Sequence, residues 1–130
     1  MAADRKAQRY KGLFDAAEAL LRLFDPAFAN SFNAVAVTKN FVGSPHIDQH
    51  DIAPQYAVAL GDFRCGGELC IESGPLEVVV VNTKNRIARV DGRFPHWVRP
   101  YTAGNRYSVI YFQTNGRFVP KVRACLECSD

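Results

Sequence analysis

Apolar residues at Tyr10, Leu13, Phe14, Ala17, Leu20, Leu21 and Phe24 recur every three or four positions, which lines them up along one stripe of an α-helix. Asp25-Pro26 ends the stripe, because the residue before a proline is pushed out of the α region. A helical segment over the first thirty residues is therefore expected to pack on the outside of a sheet, with partner binding by the same face as the sharper alternative. From Phe32 the texture changes to short apolar runs divided by turn residues. Strands are predicted over Phe32–Phe41, Tyr56–Leu60, Glu68–Glu72, Leu76–Val81, Ile87–Val90, Arg106–Thr114 and Phe118–Val122. Pro54, Gly66-Gly67, Gly74-Pro75, Asp91-Gly92 and Asn115-Gly116 punctuate them. Many short strands with turn signals at this spacing argue for an all-β sandwich or jelly roll. The sequence contains no Rossmann fingerprint, P-loop or internal repeat.

The 130 residues have the length of one domain, divided into a helical segment over 1–30, a β core over 31–122 and a tail over 123–130. An apolar fraction of 48% suffices for a packed core and argues against disorder. The formal charge of +3 permits an anionic partner without demanding one. Met1 to Lys6 has no apolar signal stretch, and runs such as Val78–Val81 are far too short to cross a bilayer. A soluble intracellular protein is expected, with nucleus and cytoplasm both open. Cys125-Leu-Glu-Cys128 has zinc-ligand spacing, and Cys65 and Cys70 complete a four-thiolate set. Without an export signal, reduced free thiols are the simpler expectation.

Composition leaves the chemistry open, but an ordered set of residues narrows it. The chain has three histidines, and two fall in the series His46-Ile-Asp48, His96, Arg106-Tyr107-Ser108. Two imidazoles and one carboxylate make a facial triad, which holds ferrous iron and leaves positions open for cosubstrate and oxygen. Arg106 is a planar fork for a carboxylate, and Ser108 adds a hydroxyl on the same strand face. Its neighbours Val109, Ile110 and Phe112 read as a buried strand, where an unpaired guanidinium is costly and wants an anion. The series therefore predicts His46, Asp48 and His96 as metal ligands and catalytic centre, with Arg106 and Ser108 binding 2-oxoglutarate. Decarboxylation of that cosubstrate to succinate would accompany hydroxylation of a C–H bond, the iron and cosubstrate carrying the chemistry and the protein orienting it. His46 and Asp48, two apart at a strand end, are expected to face inward together. His96 and Arg106 are expected on neighbouring strands at one end of a barrel.

Other residues carry two readings each. His50 shares the face of His46 and Asp48 if the strand runs on; if Ile52-Ala53-Pro54 marks a loop, it lines the mouth or is solvated. Asn33, Thr38 and Asn40 are placed to reach cosubstrate or substrate, or to serve turns and edges. Tyr56 and Tyr107 can stack on a planar substrate or fill the core, and core packing is the expectation for Trp97. Arg64, Arg86, Arg89, Arg93 and Arg99 either line the mouth to meet phosphates or are solvated.

The stretch from Asn33 to Gln113, with "SPHIDQHDIAP", "ALGDFRCGGELCIE" and "VDGRFPHWVRPYTAGNRYSVIYF", resembles the double-stranded β-helix core of the iron/2-oxoglutarate oxygenase superfamily. The resemblance implies a mainly β jelly roll, with Fe(II), 2-oxoglutarate and O2 as the reacting partners. It carries the ligand roles to His46, Asp48 and His96 and the cosubstrate role to Arg106, Ser108 matching the RxS variant. Within the superfamily the texture most resembles algal and protist relatives of the TET/JBP oxygenases, which oxidise the 5-methyl group of pyrimidines in nucleic acid. That implies a methylated pyrimidine as substrate, one that must leave the duplex stack to be reached. The chain shows neither a dense basic run nor a DNA-binding insert. Three further readings fit parts of the same sequence: a prolyl-hydroxylase-like oxygenase on protein or a small molecule, a binding module without turnover, and a structural zinc protein.

Overall fold

The computed structural model describes residues 8–49 and 51–114. His50, the predicted strand Phe118–Val122, and Cys125 and Cys128 lie outside them. Helix α1 spans Lys11–Arg22 and α2 spans Pro26–Ser31. Seven strands follow: β1 (Ala34–Lys39), β2 (Gln55–Gly61), β3 (Leu69–Gly74), β4 (Glu77–Val81), β5 (Ala88–Val90), β6 (His96–Val98) and β7 (Arg106–Phe112). The predicted strands are present within a residue or two over the described residues, and two elements are additional. Asp25-Pro26 ends α1 and at once starts α2: Pro26 opens the new helix and the Asp25 carboxylate caps it, accepting from Phe28 N at 2.9 Å. The three-residue strand β6 is too short to have its own periodicity.

All strand pairing is antiparallel, in a four-stranded sheet of order β1-β7-β2-β5 and a three-stranded sheet of order β4-β3-β6. The helices lie on the outer face of the larger sheet, as the apolar stripe predicts. Ala17, Leu21 and Ala29 pack there with Phe32, Val58, Val109 and Tyr111. The ring of Tyr111 meets Phe32 edge-on at 5.6 Å, and its hydroxyl donates to Ala17 O at 2.7 Å. Of the stripe, Ala17 and Leu21 are buried, whereas Tyr10, Leu13, Phe14 and Phe24 keep 41% or more of their surface exposed, so the helix covers the sheet with its central turns only.

A second cluster forms between the sheets. Ala57, Val90 and Ile110 of the larger sheet meet Leu69 and Ile71 of the smaller. The period of two along β7 divides its side chains accordingly: Val109 and Tyr111 face the helices, Ile110 faces the other sheet. Arg106 and Ser108 therefore share the inter-sheet face with Ile110, as the sequence predicts. Edge strand β4 exposes Glu77 through Val80.

Candidate metal centre

His46, Asp48 and His96 converge, each offering a ligand atom within 4.8 Å of the others. They reach that point by different routes. His96 begins β6, paired with Ile71 of β3. His46 belongs to no regular strand. It forms a single bridge to His96, with its N donating to His96 O at 3.1 Å and His96 N donating back to His46 O at 3.0 Å. Asp48 N donates to Gly92 O at 2.8 Å. This segment is therefore a loop stitched to the edge of the small sheet rather than a strand end. Its extended backbone still aims residues two apart the same way.

The donor atoms are chemically suited to a cation. His96 Nδ1 lies 2.9 Å from Phe94 O and His46 Nδ1 lies 3.2 Å from Ser44 O. Each carbonyl selects the tautomer with Nδ1–H, which leaves the Nε2 lone pair free. Those Nε2 atoms sit 3.4 Å (His96) and 3.7 Å (His46) from the Asp48 carboxylate oxygens, too far for good hydrogen bonds and well placed to share an ion. Burial by itself would lower the His96 pKa, but the Asp48 carboxylate and the Phe94 carbonyl reverse the direction and raise it. The site thus attracts positive charge at that nitrogen.

Arg106 is 3% exposed. Its Nε donates to Gly67 O at 3.0 Å and its Nη1 to Ser108 Oγ at 2.5 Å, and its guanidinium carbon lies 5.5 Å from the centre of the Phe63 ring. Burial depresses its pKa. Among the described residues no carboxylate pairs with it. A buried, oriented guanidinium lacking an anion is incomplete by itself. Arg106 and Ser108 line one cavity of about 200 Å³ with His46, Asp48 and His96. The cavity lies between the sheets, so His96 and Arg106 stand on opposing sheets and not on neighbouring strands. The β6 and β7 pairings, to β3 on one side and to β1 and β2 on the other, correct the expected placement.

Sequence reading missed three residues. Gln55, 2% exposed, is one: with its amide nitrogen toward the acids, it donates to Asp48 Oδ2 at 3.0 Å and Asp51 Oδ2 at 2.8 Å. Asp51 is equally buried, and burial followed by the neighbouring Asp48 charge pushes its pKa up to about 7. Thr83, also 2% exposed, lines the cavity of Arg106. A polar residue opening an apolar strand, as Gln55 does before Tyr56-Ala-Val-Ala-Leu, was the available signal.

The remaining candidates divide clearly. Thr38 lines the cavity. Asn33 binds Thr114 O and accepts from Thr114 N at 2.9 Å, tying the two chain segments together. Asn40 Oδ1 accepts from Arg106 N at 2.7 Å, a turn role. Tyr56 faces the helices, donating to Asp25 Oδ2 at 2.6 Å, and Tyr107 lies on the outer side against Lys39. Trp97 is half-buried and lines the cavity rather than the core. Arg93 is engaged by Asp91 and Arg99 lies 3.8 Å from Glu68, while Arg64 and Arg86 are exposed. Cys65 and Cys70 are free thiols. Among the described residues no helix is long and apolar enough to cross a membrane.

The fold is that of a mainly β protein with two antiparallel sheets, and comparison with solved structures places it further. It is similar to NgTET1, a structure solved in complex with 5mC DNA, with a TM-score of 0.50 and 23% sequence identity over 63% of this chain. The match spans 34% of the NgTET1 chain. The two share a fold. No family model matches the sequence, and no curated protein matches it.

Proposed function

We propose that the chain is a jelly-roll Fe(II)/2-oxoglutarate-dependent dioxygenase domain. The observation that carries the reading is the single cavity lined both by the His46, Asp48 and His96 donors and by the unpaired, buried Arg106. A ligand that chelates a cation at one end and presents a carboxylate at the other fits both. The residues suit the group: two Nε2 lone pairs and one carboxylate match the facial triad for ferrous iron, and Arg106 with Ser108 matches a carboxylate fork. When bound, iron and 2-oxoglutarate supply oxygen activation, so that substrate C–H, O2 and 2-oxoglutarate yield substrate C–OH, succinate and CO2.

The protein's own residues provide placement. The Phe94 and Ser44 carbonyls hold the imidazole tautomers. Gly67 O and Ser108 Oγ fix the Arg106 plane, leaving Nη2 for the distal carboxylate. Leu69, Val98 and Ile110 give the cavity apolar walls. A second cavity, of about 370 Å³, shares Asp48 and Ile110 with the first and is walled by Ile47, Phe112 and the buried acid Asp51. Its lining combines apolar side chains with the polar groups of Asp48, Gln49 and Asp51. This supports a 5-methylpyrimidine in nucleic acid as substrate, as does the shared fold with a protein solved on 5mC DNA.

The test is anaerobic loading with iron, followed by 2-oxoglutarate, O2 and a 5-methylcytosine oligonucleotide, with mass detection of succinate and oxidised base. Wild type is expected to form both products. His96→Ala is expected to form neither, and Arg106→Ala to lose at least tenfold in 2-oxoglutarate affinity, consistent with the loss of a charge-assisted hydrogen bond. Failure of the wild type to bind iron and 2-oxoglutarate would overturn the oxygenase reading. Succinate without oxidised base would overturn only the substrate.

A further inference from the structure

We infer that Gln55 is a positioning residue of the metal centre, its buried amide fixing how the Asp48 carboxylate is presented to the ion. The inference rests on the iron reading and extends it to a residue outside the ligand set. Gln55 begins β2, on the larger sheet, whereas the ligands belong to the smaller sheet and its bridged loop. Its amide nitrogen has two hydrogens and two acids to receive them: Asp48 Oδ2 at 3.0 Å and Asp51 Oδ2 at 2.8 Å. Oδ2 also lies 3.4 Å from His96 Nε2, while Oδ1 lies 3.7 Å from His46 Nε2, so the Gln55 contact fixes the plane in which the carboxylate meets both imidazoles.

On the side of Gly92 the carboxylate is closely packed. A Cβ on Gly92 would lie 2.5 Å from Asp48 Oδ2 and 2.8 Å from the amide nitrogen of Gln55, in the orientation that donates to the two acids, so both side chains rest directly on bare backbone. Gly92 O also receives Asp48 N. Asp48 is therefore held at its backbone by Gly92 and at Oδ2 by Gln55. A ligating carboxylate held this way needs little reordering when the ion arrives, and partners of this kind typically contribute about 10–100-fold in metal affinity.

Anaerobic titration with Co2+, followed by its visible absorption, tests the role without turnover. The proteins are wild type, Gln55→Met, which preserves side-chain length, and Gly92→Ala, which crowds the carboxylate from behind. Thermal midpoints of the metal-free proteins are recorded alongside. Both variants are expected to bind Co2+ about 10–100-fold more weakly with an altered absorption envelope. A purely structural glutamine would instead lower the metal-free midpoint and leave the affinity and spectrum of the folded protein unchanged. If Gln55→Met does not fold, Gln55→Asn, which keeps the amide but withdraws it from Asp48, takes its place. Wild-type affinity and spectrum in the folded variants would overturn the role of Gln55 and leave the iron reading intact. Absence of Co2+ binding by the wild type itself would overturn both.

Discussion

Arg106 illustrates how much of this site depends on the neighbours of a single residue. Its plane is set by Gly67 O, Ser108 Oγ and the Phe63 ring. Phe63 is 2% exposed and also carries Lys84 Nζ at 4.9 Å from its centre, so two cations flank one ring. Gly67 is required for two reasons: its φ is +83°, and a Cβ there would lie 2.6 Å from Phe63 Cε2. Gly67→Ala is expected to cost about 1–3 kcal/mol from backbone strain and overpacking and to weaken 2-oxoglutarate binding by tilting the guanidinium. Urea unfolding and a cosubstrate titration check both. A variant as stable as wild type would show that ring and backbone yield freely at this position.

At the level of elements, the Asp25-Pro26 step determines how the N-terminal segment covers the large sheet. The Asp25 carboxylate caps α2 through Phe28 N and accepts from the Tyr56 hydroxyl of β2, so one side chain joins helix to sheet. The Tyr56 hydrogen bond, followed by that from Phe28 N, lowers the Asp25 pKa, and the same bond raises that of Tyr56. The signs are opposite in effect. Asp25 contributes stability above its unfolded pKa and loses it as pH falls through the lowered folded value. Tyr56 contributes below its unfolded pKa and loses it as pH rises through the raised folded value. Asp25→Ala is therefore expected to melt below wild type at pH 7, with the gap narrowing as pH falls below about 4, near the ordinary carboxylate value. Melting curves at pH 7 and pH 3 check this. A gap that did not narrow would assign the effect to helix propensity rather than to the carboxylate.

For the whole molecule, the consequence lies in how the cavity joins the two sheets. His96 comes from the three-stranded sheet and Arg106 from the four-stranded one, with Ala57, Leu69 and Ile110 packed between. A metal and cosubstrate that engage both would bind only the assembled sandwich. They should stabilise it by about 2.7 kcal/mol at a hundredfold excess over Kd. Mn2+ with 2-oxoglutarate is expected to raise the melting temperature, a chelator to reverse it, and His96→Ala to abolish the response. Equal stabilisation of wild type and His96→Ala would place the binding elsewhere.

Local sequence determined the elements whose signals are local. The stripe from Tyr10 to Phe24 marked α1, alternation along Arg106–Phe112 placed Arg106, Ser108 and Ile110 on one face, and His-x-Asp with a distant His named three candidate ligands that the fold brings together. These were legible because helix and strand periods and the reach of residues two apart are properties of the backbone itself. Only the tertiary structure decided which sheet each group belongs to, and so corrected the expected proximity of His96 and Arg106 along one sheet. It also decided that His46 sits on a bridged loop, that Tyr56 turns to the helices, and that Gln55, Asp51 and Thr83 are buried around the cavity. Those facts depend on contacts such as Gly92 with Asp48 and Gln55, between residues far apart in the chain. No periodicity encodes such contacts, because they arise only when two sheets close over a shared interior.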